Sequence, residues 1–154
     1  MDYDVIIIGG GSAGYSAADT AQNAGAKVAI LDPGPLGGLC ILLGCMPSKA
    51  ILRSSEVMAL TARTQEFGLA PVATKANLGA IIDRKNRLIG EFADYRIGQL
   101  KNPRFDLIQE KGSFNSPHEI QVGSRKLSAK NFIIATGSVI AGFPIPGLKE
   151  AGFI

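Results

Sequence analysis

Cys40 and Cys45 are the only cysteines in this sequence, and they share the segment Gly37-Gly38-Leu39-Cys40-Ile41-Leu42-Leu43-Gly44-Cys45-Met46-Pro47-Ser48-Lys49. A cysteine acts as nucleophile, electron carrier or metal ligand through its thiolate, so what matters is what surrounds it. Pro47 sits where a first helical turn would begin, because its missing N–H has no partner there anyway. Cys45 then stands near the positive end of that helix, with Lys49 a turn further on, and both features favour a thiolate. A zinc site takes about four ligands, and the chain offers two cysteines and one histidine, His118. The N-terminus carries Asp2 and Asp4 instead of a basic region, and its apolar run is only Val5 to Ile8. That run is far short of the roughly 20 residues a spanning helix needs. The chain therefore reads as cytoplasmic, where structural disulfides are rare and a close cysteine pair is catalytic or metal-binding more often than structural. The cysteines alone leave a reactive pair and two inert core thiols both open.

A second constellation precedes them. Gly9-Gly10-Gly11-Ser12-Ala13-Gly14 fits G-x-G-x-x-G directly after an apolar run. In such a turn Gly9 allows the sharp reversal, Gly11 lets a pyrophosphate approach the backbone, and Gly14 lets helix and strand pack closely. The amides of Gly11, Ser12 and Ala13, with the positive end of the helix dipole, would then hold the phosphates. Asp32 follows Gly14 by 18 residues, at the end of a second apolar run, where an acid can accept hydrogen bonds from both ribose hydroxyls of an adenosine. Strand, turn, helix, strand and acid in this order predict a bound dinucleotide. They do not choose between NAD and FAD.

The elements that must position these residues follow from the apolar periodicity. Tyr3–Ile8 and Lys27–Leu31 read as buried parallel strands, with a helix over Ala13–Ala24 stopped by Gly25 between them. That βαβ unit predicts a right-handed crossover. Asp32 to Gly44 reads as irregular, with a helix from Pro47 to about Glu66 and another over about Asn77–Leu100, the latter carrying a stripe of Ile81, Ile82, Leu88, Ile89, Phe92 and Tyr95. Phe105–Gln109, Gly112–Phe114, Glu119–Val122 and Lys126–Ser128 are short strands between turns, and Asn131–Ala135 is a buried strand again. The pattern is α/β: a parallel sheet with flanking helices and an antiparallel β insert over residues 112–128.

The cysteine segment resembles the redox-active segment of the pyridine nucleotide–disulfide oxidoreductases, which usually reads GGTC-x4-C-x-PSK. The resemblance continues through Ala135-Thr136-Gly137-Ser138 and Ile145-Pro146-Gly147 and so covers nearly the whole chain. Pro-Ser-Lys after the second cysteine is more similar to dihydrolipoamide dehydrogenases and mercuric reductases than to glutathione reductases. The resemblance implies a Rossmann-like FAD-binding domain in which NADH reduces the flavin and the flavin reduces a Cys40–Cys45 disulfide. By the same resemblance Cys45 sits against the flavin, Cys40 exchanges with the substrate disulfide or dithiol, and Lys49 lies beside the flavin ring. Gly38 falls in the cofactor-binding stretch, Gly112 matches the position whose backbone contacts the adenine, and Ala135, Thr136 and Gly137 match the second FAD motif. A regular helix would separate residues five apart by about 7.5 Å along its axis, and a disulfide tolerates Cα separations to about 6.8 Å. A bend between the cysteines is therefore required, and Gly44 permits one. Leu39 and Leu42 stand where the family usually has threonine and asparagine, so a hydroxyl and an amide near the cofactor are missing. His118 lies beside Glu119, outside the His-Pro context of the family's catalytic base, and reads as a surface turn residue.

Bulk properties bound the alternatives. A sequence of 154 residues, 46% hydrophobic and 19% charged, is about one domain with an ordinary core. The net charge of +3 is scattered, without a run of five basic residues, so nucleic acid is not indicated as a partner. No second G-x-G-x-x-G and no Gly-Asp pair occur, although the family's NAD-binding domain and its flavin ribityl contact use them. The resemblance thus implies the N-terminal portion of an FAD-binding domain, residues 1–154, from a homodimeric parent whose NAD-binding and dimerisation domains lie outside this sequence. A stand-alone FAD- or nucleotide-binding module without turnover is the competing expectation. FAD held only weakly by these residues is part of both.

Overall fold

The computed structural model describes residues 1–139, 141–148 and 150–152. Its centre is a run of β-branched residues, Val5-Ile6-Ile7-Ile8, within β1 (Tyr3–Ile8). Ile6 and Ile7 are both fully buried, which demands cover on both faces of the strand. On one side β1 pairs in parallel with β2 (Val28–Leu31), which pairs with β3 (Asp106–Ile108); on the other it pairs with β6 (Arg125–Ile134). β6 also pairs antiparallel with β5 (Glu119–Val122), and β5 with β4 (Gly112–Ser116), giving the order β3-β2-β1-β6-β5-β4.

Alternation in β1 and β2 splits the core into two layers. Ile7, Val28 and Ile30 pack with Ala18 of α1 (Ser12–Asn23), Leu36, Phe105 and Leu100, the last residue of α4 (Leu78–Leu100). Ile6, Ala29 and Leu31 face the other way, where Ile120, Val122 and Ala129 of the antiparallel strands cover them. One face of the parallel sheet is thus closed by helices and the other by the β insert. Two further helices precede α4: α2 (Gly38–Leu42) and α3 (Cys45–Thr61).

Four sequence expectations need correction. The stretch Asp32–Gly44 is not wholly irregular, because α2 occupies its second half. The helix expected from Pro47 to Glu66 starts at Cys45 and ends at Thr61, followed by a 3-10 turn over Thr64–Phe67. Pro47 lies third in that helix, still within the turn whose amides have no intrahelical acceptor, so it marks the first turn but not its first residue. The two strands expected at Lys126–Ser128 and Asn131–Ala135 are one, since no turn residue separates them. The first half of this strand pairs with β5 and the second with β1, which joins the insert to the parallel sheet. In α4, Phe92 and Tyr95 are 43% and 68% exposed; the helix reaches the sheet core only through Ile97 and Leu100.

Candidate functional site

The carboxyl ends of β1, β2 and β6 converge, tied by Gly9 N–H to Leu31 O (2.7 Å) and Ala135 N–H to Ile8 O (2.8 Å). Gly9 turns the chain with φ +104°, and a side chain there would run into the Ala135 carbonyl. α1 then starts at Ser12 with Gly11 as its N-cap and no side-chain cap, so the amides at its start remain available. Ser12 and Ala13 are exposed, whereas Gly14 is buried against the carbonyl of Gly9.

Asp32 fixes the turn from the side. Its Oδ2 accepts from Gly10 N–H at 2.7 Å and its Oδ1 from Gly34 N–H at 2.8 Å. Each carboxylate oxygen retains acceptor capacity after one such bond, so the acid can also receive ribose hydroxyls. Gly10 was not singled out from the sequence, because its place in the motif is variable. Its amide nevertheless anchors Asp32, and an added Cβ would stand 2.9 Å from the Asp32 carboxylate.

The loop after Asp32 winds through Gly34, Gly37 and Gly38, all at positive φ, and brings α2 onto the glycine turn. A Cβ on Gly38 would lie 2.5 Å from Gly11 Cα. The two sequence motifs are thus in backbone contact. Between them runs a groove of about 380 Å³ lined by Gly9, Gly11, Asp32, Gly38, Ala135, Thr136 and Gly137 among others. One end is glycine backbone; its other walls are Pro33, Pro35, Leu39, Leu42, Leu43 and Val139. These apolar residues, like Ser138, were not identified as site residues from the sequence, although Leu39 and Leu42 were noted as departures. A larger groove of about 470 Å³ lies between α3 and α4, but it contains neither cysteine nor any residue of the glycine turn.

The cysteines stand where α2 meets α3. Leu43 ends α2 and Gly44 breaks the helix with φ −117° and ψ −106°, its α-carbon passing over the Leu39 carbonyl so closely that a Cβ would sit 3.1 Å from it. The break sets half-buried Cys40 beside exposed Cys45, the first residue of α3, both as free thiols. The neighbouring Cys45 thiol is the main cause that pushes the Cys40 thiol above its ordinary value, followed by burial and the charge of Cys45; the Cys45 backbone N–H and Arg96 act in the opposite direction. Lys49 lies one turn into α3 on an exposed position and does not line the groove. Gly112 opens β4, and a Cβ there would meet Leu31 Cδ2 at 2.6 Å and Ile120 Cδ1 at 2.7 Å, so packing alone accounts for a glycine at this position. His118 is exposed in the β4–β5 turn, far from both motifs in the fold order.

The residues present fit the ADP half of a dinucleotide: Gly9, Gly11 and Gly38 leave bare backbone along the groove, and the Asp32 carboxylate lines it beside them. A mercuric reductase from Staphylococcus aureus is 37% identical over 154 residues, covering 99% of this chain and 28% of that protein. A dihydrolipoyl dehydrogenase from Acholeplasma laidlawii is also 37% identical, covering 97% of this chain and 45% of that protein. Among solved structures, the Cu(II) complex of the HOCl-induced flavoprotein disulfide reductase RclA from Escherichia coli superposes with a TM-score of 0.73 at 26% identity, over 95% of this chain and 30% of that one. The chain therefore spans less than half the length of each of these relatives. Residues 3–154 match the model of the pyridine nucleotide-disulphide oxidoreductases, and the chain belongs to that family.

Proposed function

We propose that residues 1–154 are the N-terminal portion of an FAD-binding domain, from a homodimeric cytoplasmic enzyme that carries electrons from NADH through FAD to a Cys40–Cys45 disulfide. The observation that carries this reading is the direct contact of Gly38 with Gly11, which lays the cysteine segment along the same groove as the phosphate turn. The glycine turn and the start of α1 bind the pyrophosphate, and Asp32 binds the adenosine ribose. Ala135, Thr136 and Gly137 close the groove at the end of β6, and Gly112 flanks the adenine end beside Leu31. FAD, when bound, supplies hydride acceptance from the nicotinamide and electron delivery to sulfur. Cys45, at the start of α3, is the thiol on the cofactor side, with Lys49 one turn further along that helix. Cys40 is the thiol that exchanges with substrate. Dihydrolipoamide is the substrate class we favour, supported by a dihydrolipoyl dehydrogenase at 37% identity; the Pro-Ser-Lys segment is compatible with it and with the mercuric reductases alike. The equally similar mercuric reductases supply the second reading, in which the thiol pair delivers electrons to a bound mercuric ion.

Thiol titration under denaturing conditions tests the redox pair. The oxidised chain should release two additional thiols after reduction, and mass spectrometry should locate them at Cys40 and Cys45. A chain that shows both thiols free after exposure to oxidised lipoamide would exclude the reading.

A further inference from the structure

The groove of about 470 Å³ between α3 and α4 has no part in the reading above. Its volume falls within the range of small-ligand sites, about 300–1,000 Å³. Three exposed cations line it: Arg53 on α3, Lys75 in the segment before α4, and Arg84 on α4. No carboxylate is among the residues that line it. Among the described residues Lys75 and Arg84 take part in no ion pair, and Arg53 has only an exposed pair with Glu56 at 3.1 Å. An exposed pair of this kind is weak. The groove is therefore a concentration of positive charge without a counterion.

Between the cations the lining is apolar. Val57 and Met58 of α3 contribute side chains that are 47% and 42% exposed, and Ile81 of α4 lines the groove with them. Hydrogen bonds tie the two walls together at both ends. Arg84 Nη1 donates to Ala50 O at 3.0 Å, and Thr74 Oγ1 donates to Thr61 Oγ1 at 3.0 Å. Ala50 and Thr61 lie about 16 Å apart along the axis of α3. An occupant of the groove floor is limited to that length, which suits one acyl chain but only roughly five residues of extended peptide. The end of α4 is not what attracts an anion here, because Asn77 Oδ1 already accepts from Ala80 N–H at 3.1 Å.

We propose that this groove binds a small amphiphilic anion, a free medium-chain carboxylate whose acyl chain lies on Val57, Met58 and Ile81. Arg84 takes the carboxylate: one of its N–H groups is spent on Ala50 and holds the side chain in place, and the rest of the fork suits a carboxylate. Arg53 and Lys75 line the same cavity and raise the local concentration of anions. A second copy of this chain is a poor occupant, because two such grooves brought together would oppose like charges. The inference does not draw on the flavin reading, since no residue of the glycine turn or of the cysteine segment lines this groove.

The test compares two probes with the same chain and opposite heads, decanoate and decyltrimethylammonium, at low salt and below micelle formation. Hydrogen–deuterium exchange should slow at Ser54 to Met58 and Thr74 to Arg84 with decanoate and not with the cation, and the protection should fall as salt is added. In calorimetric titration with decanoate, Arg84→Gln and Lys75→Glu should each weaken binding several-fold, and Val57→Asp should abolish it. Lys75 is exposed and outside the helices, so its variant serves if Arg84→Gln loosens the α3–α4 contact. Equal protection by the two amphiphiles, protection outside this groove, or unchanged affinity in both charge variants would overturn the proposal. So would a dimer in sedimentation whose groove is already protected without ligand, which would assign the surface to a second copy.

Discussion

Gly38→Ala is the substitution that strikes the join between the two motifs. Gly38 sits at φ +75°, where a side chain costs about 1–2 kcal/mol for any L-residue with a Cβ. The new methyl would also stand 2.5 Å from Gly11 Cα. Carbon atoms are comfortable at about 3.5–4.0 Å, so backbone must yield by roughly 1 Å, and forced overpacking of this kind costs about 1–3 kcal/mol more. Neither atom belongs to a flexible side chain, so nothing cheap can move. The sum is a destabilisation of about 2–5 kcal/mol, which at a urea slope of about 2 kcal/mol/M lowers the midpoint by roughly 1–2.5 M. Urea denaturation followed by circular dichroism reads this directly. Gly142→Ala is the matched control, since the added carbon meets nothing within 4 Å and the residue is not at positive φ. A Gly38→Ala chain within about 0.5 kcal/mol of the parent, the range of an ordinary surface change, would refute the contact and with it the placement of α2 on the phosphate turn.

Asp32→Ala leaves the Gly10 and Gly34 amides without their acceptor, and should cost about 1–3 kcal/mol per unmatched donor, at the low end because the site is only part-buried; calorimetric titration with ADP should show binding at least tenfold weaker. Gly90→Ala, inside α4 with open space around it, should instead raise stability by about 0.5–1 kcal/mol, read as a higher urea midpoint. Burial, with a hydrogen bond to Asp106 second, pushes the Tyr3 phenol up to about 12. Its protonated form is then favoured in the folded chain, so this contribution is fully present below pH 10 and is lost as pH rises from 10 towards 12. Ultraviolet absorbance should show one tyrosine titrating late, and Tyr3→Phe should remove that late step.

The sequence made the phosphate turn legible because three constraints coincide on few residues. Gly9 must reverse the chain, Gly14 must admit the Gly9 carbonyl, and an acid must follow the next strand; only a strand–turn–helix satisfies all three. The same economy placed the cysteine bend at Gly44. What the sequence hid was long-range partnership. Nothing local says that the Gly10 amide binds an acid 22 residues away, or that Gly38 lies against Gly11. β6 reads as two strands because the polar residues Ser128, Lys130 and Asn131 interrupt the apolar pattern, leaving Ala129 and Lys130 between them. In the fold that stretch stays extended, because β5 and then β1 take up its hydrogen bonds in succession. α2 was missed because five residues between glycines give no helical period to detect. The groove walls escaped for a different reason: Pro33, Pro35 and Val139 have side chains that signal turn or core, and only their convergence in the fold makes them one groove.

The central claim is that a flavin dinucleotide lies along the Gly9–Gly14 turn with its far end at the cysteine pair. Hydrogen–deuterium exchange of the chain with and without saturating FAD tests it most directly. The account predicts slowed exchange at Gly11 to Gly14, Asp32 to Cys40 and Ala135 to Gly137, and no change in the α3–α4 groove at Ser54 to Met58 or Thr74 to Arg84. Protection confined to that second groove, or none at any FAD concentration that perturbs the flavin spectrum, would contradict it.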